Sequence, residues 1–312
     1  MGKACEYFST MEAMKLIDIP VEEKGWLRHY GNMREHMDYC QGSIYDMFKE
    51  TADKYPNLPA LEFFDVRFTF KEFDKKVNNV AKALLKLGIV EDESVTVCMP
   101  NMPESIFLIY ALNKIGAVCN VIHPLSDEGE IKNAVELTNS TIIFTTDVSY
   151  ATVKGVGIDR IVVCEVSNSM NPILKMAYNL KSRKQMKYES DTIRWKNIIK
   201  DVKETVPTVK RDKNDAAVLI YSGGTTGKSK GIVLSNLCFN ALATQCFDVC
   251  PEARPGASML SGLPIFHGFG LGIGIHTPLI GGASCVLVPR FSVKGYAAIL
   301  KKQKPELIPG VP

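Results

Sequence analysis

Several things are scarce or missing in this 312-residue chain, and each absence removes a class of function. The net charge is only +3, from 37 basic and 34 acidic residues, too small an excess to point to a nucleic-acid partner. Nine cysteines include no Cys-x-x-Cys pair. An odd number without that spacing argues against a disulfide framework and a zinc site, and fits reduced thiols in a cytoplasm. Cys246 and Cys250 share one helical face and read as small buried hydrophobes. Met1-Gly2-Lys3-Ala4-Cys5-Glu6 has no apolar core behind it, so no signal peptide is expected. Glu6 stands where a myristoylation motif needs Ser or Thr. From Pro255 to Pro289 there is no Asp, Glu, Lys or Arg, which satisfies the length rule for a membrane span. Eight glycines, internal Pro264 and Pro278, and two histidines in that run exclude a continuous lipid-facing helix.

What is present describes an ordinary globular protein, 46% apolar and 23% charged, long enough for two domain-sized halves. Its most informative stretch is Leu219-Ile220-Tyr221-Ser222-Gly223-Gly224-Thr225-Thr226-Gly227-Lys228-Ser229-Lys230-Gly231. Glycines, hydroxyl side chains and two lysines lie between the apolar runs Ala216–Tyr221 and Ile232–Leu234. This is phosphate-loop chemistry: glycine lets backbone N–H groups turn onto an anion, hydroxyls add donors, and lysine adds a mobile charge. A Walker A loop is excluded, because Ser222 occupies the position of its leading glycine and a β-prone run follows where a helix should begin. The pattern is strand, loop, strand, with a helix starting only after Ser235-Asn236.

Along the chain, residues 1–42 are polar and without period, an N-terminal arm. Ser43 caps a helix ending before Pro56, Leu61–Phe70 reads as a hairpin turning near Asp65, and a strong helix from Phe73 is closed by Gly88. Strands and helices then alternate: Val95–Met99, Pro103–Lys114, Ala117–Ile122, Glu128–Thr138, Thr141–Thr145 and Arg160–Cys164. That pace predicts right-handed crossovers and a mainly parallel sheet covered on both faces. Residues 168–214 are basic and polar. Within them Pro172–Lys184 places Ile173, Leu174, Ala177, Tyr178 and Leu180 on one side. A solvated helix packed on its own domain is expected there, in preference to a membrane-surface helix. Leu237–Val249 reads as a helix and Met259–Leu263 as a strand. A second signature follows, Pro264-Ile265-Phe266-His267-Gly268-Phe269-Gly270. Val286–Val288 is a buried strand, Ser292 opens a helix ending near Gln303, and Pro305–Pro312 begins another strand.

At these motifs the chain resembles the acyl-adenylate-forming family, which includes acyl-CoA synthetases, firefly luciferase and peptide-synthetase adenylation domains. Tyr221, Gly224, Thr225, Thr226, Gly227, Lys230 and Gly231 match its loop, approximately Tyr-Thr-Ser-Gly-Thr-Thr-Gly-x-Pro-Lys-Gly, while Ser222, Gly223 and Ser229 depart from it. The Gly-Gly-Thr-Thr-Gly form looks most like fatty acyl-CoA ligases. Phe68-Thr69-Phe70-Lys71-Glu72-Phe73, Gly116-Ala117-Val118 and Pro124 resemble the family's early motifs.

The resemblance covers about residues 43–312 and implies an α/β fold. It would be the large N-terminal domain of the adenylate-forming fold, mainly parallel sheets flanked by helices, stopping before the family's β-barrel part and small C-terminal domain. The expected division is 1–42 arm, 43–75 helix and hairpin packing with the second subdomain, 76–214 first α/β subdomain, and 215–312 part of the second. It further implies an N-terminal portion of an ATP-dependent, AMP-forming ligase acting on a carboxylic acid, a fatty acid by preference, with coenzyme A as thiol acceptor. The portion alone is expected to be inactive. Ser222, Gly223, Gly224, Thr225, Thr226, Gly227 and Lys230 would hold the ATP phosphates, and Lys228 would face solvent. His267 would be the catalytic residue of a turn beside the acyl pocket, with Phe266, Gly268 and Phe269 on the pocket side. Mg2+ would be held mainly by residues beyond this chain, and none here is assigned to a metal. The alternatives are an adenylating enzyme with a carrier-protein thiol acceptor, or a non-catalytic nucleotide- or acyl-binding module.

Overall fold

The structure is a computed structural model that describes residues 25, 29–31, 33–182, 187–201, 204–222 and 229–311. The chain divides into two units, Met1–Asp38 and Tyr39–Pro312. The described part of the first is little more than a turn in which Met33 N–H donates to the Tyr30 carbonyl at 2.9 Å. All the elements below belong to the second.

Local chemistry sets the entry to the fold. Ser43 Oγ accepts from Asp46 N–H at 3.0 Å and the Asp46 carboxylate accepts from Ser43 N–H at 2.8 Å, a capping box that starts α1 (Ile44–Lys54). The hairpin β1 (Pro59–Phe63) and β2 (Val66–Thr69) turns through Phe64 and Asp65, both at positive φ. Thr69 and Glu72 form a second capping box, so Phe70 opens α2 (Phe70–Lys86) and does not close the hairpin. Gly88, at φ +80°, ends that helix as expected.

The predicted alternation follows: β3 (Ser94–Cys98), α3 (Pro103–Lys114), β4 (Val118–Val121), α4 (Glu128–Thr138), β5 (Ile142–Thr146), α5 (Tyr150–Gly155), β6 (Arg160–Cys164), α6 (Pro172–Ser182), β7 (Ile193–Arg194), α7 (Trp195–Ile198), β8 (Ala216–Ser222) and β9 (Lys230–Ser235). They build a seven-stranded sheet in the order β7-β6-β5-β3-β4-β8-β9, parallel throughout except for the β8/β9 pair. β4 and β5 are buried along their whole length, as strands covered on both faces must be. Arg211, 7% exposed at its side chain, leads into β8 by pairing with Glu91 at 3.0 Å, Asp92 at 2.8 Å and Asp215 at 3.2 Å.

After α8 (Asn236–Val249) come β10 (Ser258–Ser261), α9 (Gly268–Leu271), a π-helical turn (Gly272–His276), α10 (Thr277–Ile280), β11 (Ser284–Leu287) and α11 (Val293–Gln303). β10 and β11 join the first hairpin in a four-stranded sheet, β10-β11-β1-β2, with β1 parallel to β11. The sheets therefore do not change at residue 215. β8 and β9 complete the seven-stranded sheet because β8 pairs with β4, Cys119 opposite Val218. Beyond α11 the expected strand 305–312 is a single bridge between Leu307 and Met259. The charge-free run is packed inward, with Leu271, Ile275 and Leu279 in the core. Among the described residues no helix is long and apolar enough to cross a membrane.

One element reverses its expected orientation. In α6, Ile173, Met176 and Leu180 are exposed, and the inner side carries Lys175, Tyr178 and Asn179. Tyr178 OH donates to Asp147 at 2.6 Å, Ser167 Oγ donates to Asn179 at 3.0 Å, and Lys175 Nζ donates to the Asn168 carbonyl at 3.3 Å. Polar partners on the adjoining loops fix the rotation of the helix, and its apolar side is left outward.

Candidate functional site

The parallel strands β4 and β8 end side by side, and α/β sheets bind ligands outside such carboxyl ends. A cleft of about 370 Å³ lies there, its wall including His123, Glu130, Tyr221, Ser222, Ser229, Phe266 and His267. The β8/β9 ladder runs from Ala216 opposite Ser235 to Ser222 opposite Lys230, so the two ends of the glycine-rich connection meet at the cleft. Among the described residues the chain resumes as a strand, β9, from Lys230. A strand therefore follows the connection where a Walker loop would lead into a helix. Gly223, Gly224, Thr225, Thr226, Gly227 and Lys228 lie outside the described residues. Lys230 is exposed and makes no ion pair among the described residues.

Tyr221 is held rigidly. Its hydroxyl donates to Asn120 Oδ1 at 2.8 Å, with the Ala134 carbonyl at 3.3 Å, and Asn120 Nδ2 donates to Thr96 Oγ1 at 2.9 Å. Burial pushes the Tyr221 phenol up to about 12, so it stays a neutral donor and fixes the strand's last turn toward the cleft.

The second signature faces the same cleft. Asn101 donates to the carbonyls of Ser261 at 3.1 Å and Leu263 at 2.8 Å and accepts from Ile265 N–H at 3.0 Å. It clamps the turn that carries Phe266 and His267. Gly270 is required by space, since a Cβ there would lie 2.0 Å from the Pro264 carbonyl oxygen. Phe266 packs on His123 with centroids 4.2 Å apart and on His267 at 4.8 Å. His123 Nδ1 accepts from Leu125 N–H at 2.8 Å, which leaves Nε2 with the proton and free to donate. Partial burial, and then the neighbouring His267, lower the pKa of His123.

Of the residues expected at the pocket, Phe266 and His267 reach it. Gly268 packs toward Ile220, 3.3 Å from where its Cβ would be. Phe269, 45% exposed, does not line the cleft, because the chain has already turned into α9. His123 and Asn101 were not foreseen; each becomes informative only once β3, β4 and the 264–267 turn are brought together. A second, more apolar cavity of about 560 Å³ adjoins the first, sharing His123, Leu125 and Phe266 and lined further by Leu263, Val288, Phe291 and Ile308. The other histidine of the charge-free run is a core residue. His276 Nε2 donates to Asn240 Oδ1 at 3.0 Å, its Nδ1 accepts from Tyr110 OH at 2.9 Å, and burial lowers its pKa to about 3. Among the described residues no group of three or more His, Cys, Asp or Glu is placed to hold a metal ion.

The chain is 25% identical over 302 residues to the long-chain-fatty-acid–CoA ligase of Bacillus subtilis, covering 93% of this chain and 54% of that protein. It is 27% identical to the 4-coumarate–CoA ligase-like 6 of Arabidopsis thaliana, covering 82% of this chain and 43% of the relative. The chain thus spans about half the length of the curated relatives it matches. Among solved structures, a long-chain-fatty-acid-CoA ligase (FadD1) from Archaeoglobus fulgidus superposes with a TM-score of 0.72 at 22% identity, over 87% of this chain and 52% of that one. The N-terminal domain of FACL13 from Mycobacterium tuberculosis does so with a TM-score of 0.69 at 21% identity, over 87% of this chain and 63% of that one. The family description "AMP-binding enzyme" matches residues 48–312; the chain belongs to that family, the acyl-adenylate-forming ligases, and has the fold of their N-terminal domain.

Proposed function

We propose that this chain forms the phosphate- and acid-binding part of an AMP-forming acid–thiol ligase. The carboxylate attacks the α-phosphorus of ATP, the bond to the β-phosphate oxygen breaks, and pyrophosphate leaves with its electron pair. The thiol of coenzyme A then displaces AMP from the acyl-adenylate and gives a thioester. Such a step depends on positioning and charge stabilisation more than on proton transfer. The supporting observation is the β8/β9 ladder closing opposite Ser222 and Lys230 beside His123 and Phe266, which line both this cleft and the more apolar cavity adjoining it.

In this reading the backbone of Gly223–Gly227, with Thr225, Thr226 and Ser222, donates to the β- and γ-phosphates, and Lys230 supplies the cation. Each charge-assisted hydrogen bond of this kind contributes about 1.5–3 kcal/mol. Phe266 and His123 orient the carboxylate end of the acid, the apolar cavity takes its body, and His267 moves at the mouth between the two half-reactions. A fatty acid suits that cavity and the B. subtilis relative's name. An aromatic acid fits the 4-coumarate relative and the anthranilate CoA ligase AuaEII, solved with anthranoyl-AMP.

The test is acid-dependent pyrophosphate release by the full-length protein containing this chain, across a panel of fatty and aromatic acids. Products are followed with coenzyme A and with a phosphopantetheinyl carrier protein. Thioester on coenzyme A is expected, and Lys230→Ala should slow adenylation about 10- to 100-fold, the loss of one such contact. An unchanged rate removes Lys230 from the site, and no acid-dependent release with any acid removes the ligase reading. Residues 1–312 alone are expected to bind nucleotide without turnover.

A further inference from the structure

Helix α6 is built inside out. On a helical projection Ile173, Met176, Ala177 and Leu180 fall on one face, and Lys175, Tyr178 and Asn179 on the opposite one. Surface helices turn the apolar stripe to the core. Here the polar face is tied down by the hydrogen bonds to Asp147, Ser167 and Asn168, and the stripe points out, with Ile173 77%, Met176 63% and Leu180 60% exposed. The apolar surface continues past the start of the helix. Asn171 Nδ2 donates to the Phe64 carbonyl at 3.1 Å, which joins the β1/β2 turn to the helix start, and Phe64 is itself exposed.

Charge points to the occupant. From Val166 to Tyr188 the sequence has no Asp or Glu and, besides Lys175 on the inner side, carries Lys181, Arg183, Lys184 and Lys187, with Lys187 exposed. We infer that α6 and the Phe64 turn dock this protein on an anionic phospholipid surface, the helix lying in the headgroup plane with Ile173, Met176 and Leu180 in the acyl boundary. A second copy of the chain fits less well: self-association through α6 would bring two basic segments together. A stripe of four or five side chains is also far short of the roughly 800 Å² per partner of a stable dimer. A bilayer accepts a narrow apolar stripe and supplies the phosphates, giving weak, reversible and salt-sensitive binding.

The test is co-sedimentation of the full chain with vesicles of phosphatidylcholine alone and of phosphatidylcholine mixed with phosphatidylserine. The wild type is expected to pellet with the mixed vesicles, to be released by high salt, and to remain soluble with phosphatidylcholine alone. The triple variant Ile173→Asn, Met176→Asn, Leu180→Asn should lose binding about tenfold or more with little change in melting temperature, since these side chains are mostly exposed. A single Met176→Trp variant gives a second reading, an emission blue shift on mixed vesicles. Equal pelleting of wild type and triple variant, or no pelleting of wild type with mixed vesicles, overturns the proposal. So does a vesicle-free dimer that the triple variant abolishes, which would assign the face to a second copy.

Discussion

At the scale of the residue, His276 shows what burial does to a titratable ring. Its imidazole is neutral in the fold until about pH 3, whereas in the unfolded chain it takes up a proton near pH 6.5. Between those values the unfolded state binds more protons, so the contribution is fully present above pH 6.5 and is lost as pH falls toward 3. The slope is about 1.4 kcal/mol per pH unit. Urea denaturation at a series of pH values should show this loss, and His276→Gln should flatten the acid limb; an equally steep limb in the variant would assign it to other groups. The two histidines also mark what sequence can and cannot separate. Both sit in one charge-free run, and only the motif around His267 distinguished it. The Tyr110 and Asn240 partners that make His276 a core residue, like Asn101 on the 264–267 turn, come from distant parts of the chain and leave no local trace.

At the scale of the element, caps and periods carried most of the information. α3, α4 and β6 lie where the expected Pro103–Lys114, Glu128–Thr138 and Arg160–Cys164 put them. α5, β7 and α7 are too short to show a period. In α6 the amphipathic pattern was legible and its direction was not, because hydrogen bonds to neighbouring loops decided which side faces in. The Ser43 cap offers a clean measurement: its side chain is buried and bonded to Asp46 in both directions. Ser43→Ala should cost about 1–2 kcal/mol and appear as a lower thermal midpoint. No change would mean that the fold supplies the first turn of α1 by other contacts.

At the scale of the molecule, one core joins the two sheets of residues 39–312. Leu61, Phe63, Cys285 and Leu287 of the four-stranded sheet and Val95, Val97, Val121 and Phe144 of the seven-stranded one belong to the same buried cluster, which also holds Phe48, Phe73 and Tyr110 in tilted and edge-on ring contacts. Unfolding in denaturant, followed by far-UV circular dichroism and by tryptophan emission, should therefore give coincident transitions. Two separated transitions would mean that the sheets melt independently. The sequence announced an α/β protein with a strand, loop, strand site; it did not announce which sheet each strand would join, since pairing between distant strands is decided by packing and not by local pattern.

That pairing sets a timetable for birth on the ribosome. β1 finds its parallel neighbour only when Leu61 meets Cys285, more than two hundred codons later. At about 5–20 residues per second, the first hairpin waits some ten to forty seconds with an open edge and an uncovered apolar face. During that interval the nascent chain is a natural client for chaperones, and slowing elongation should lengthen its exposure to proteases.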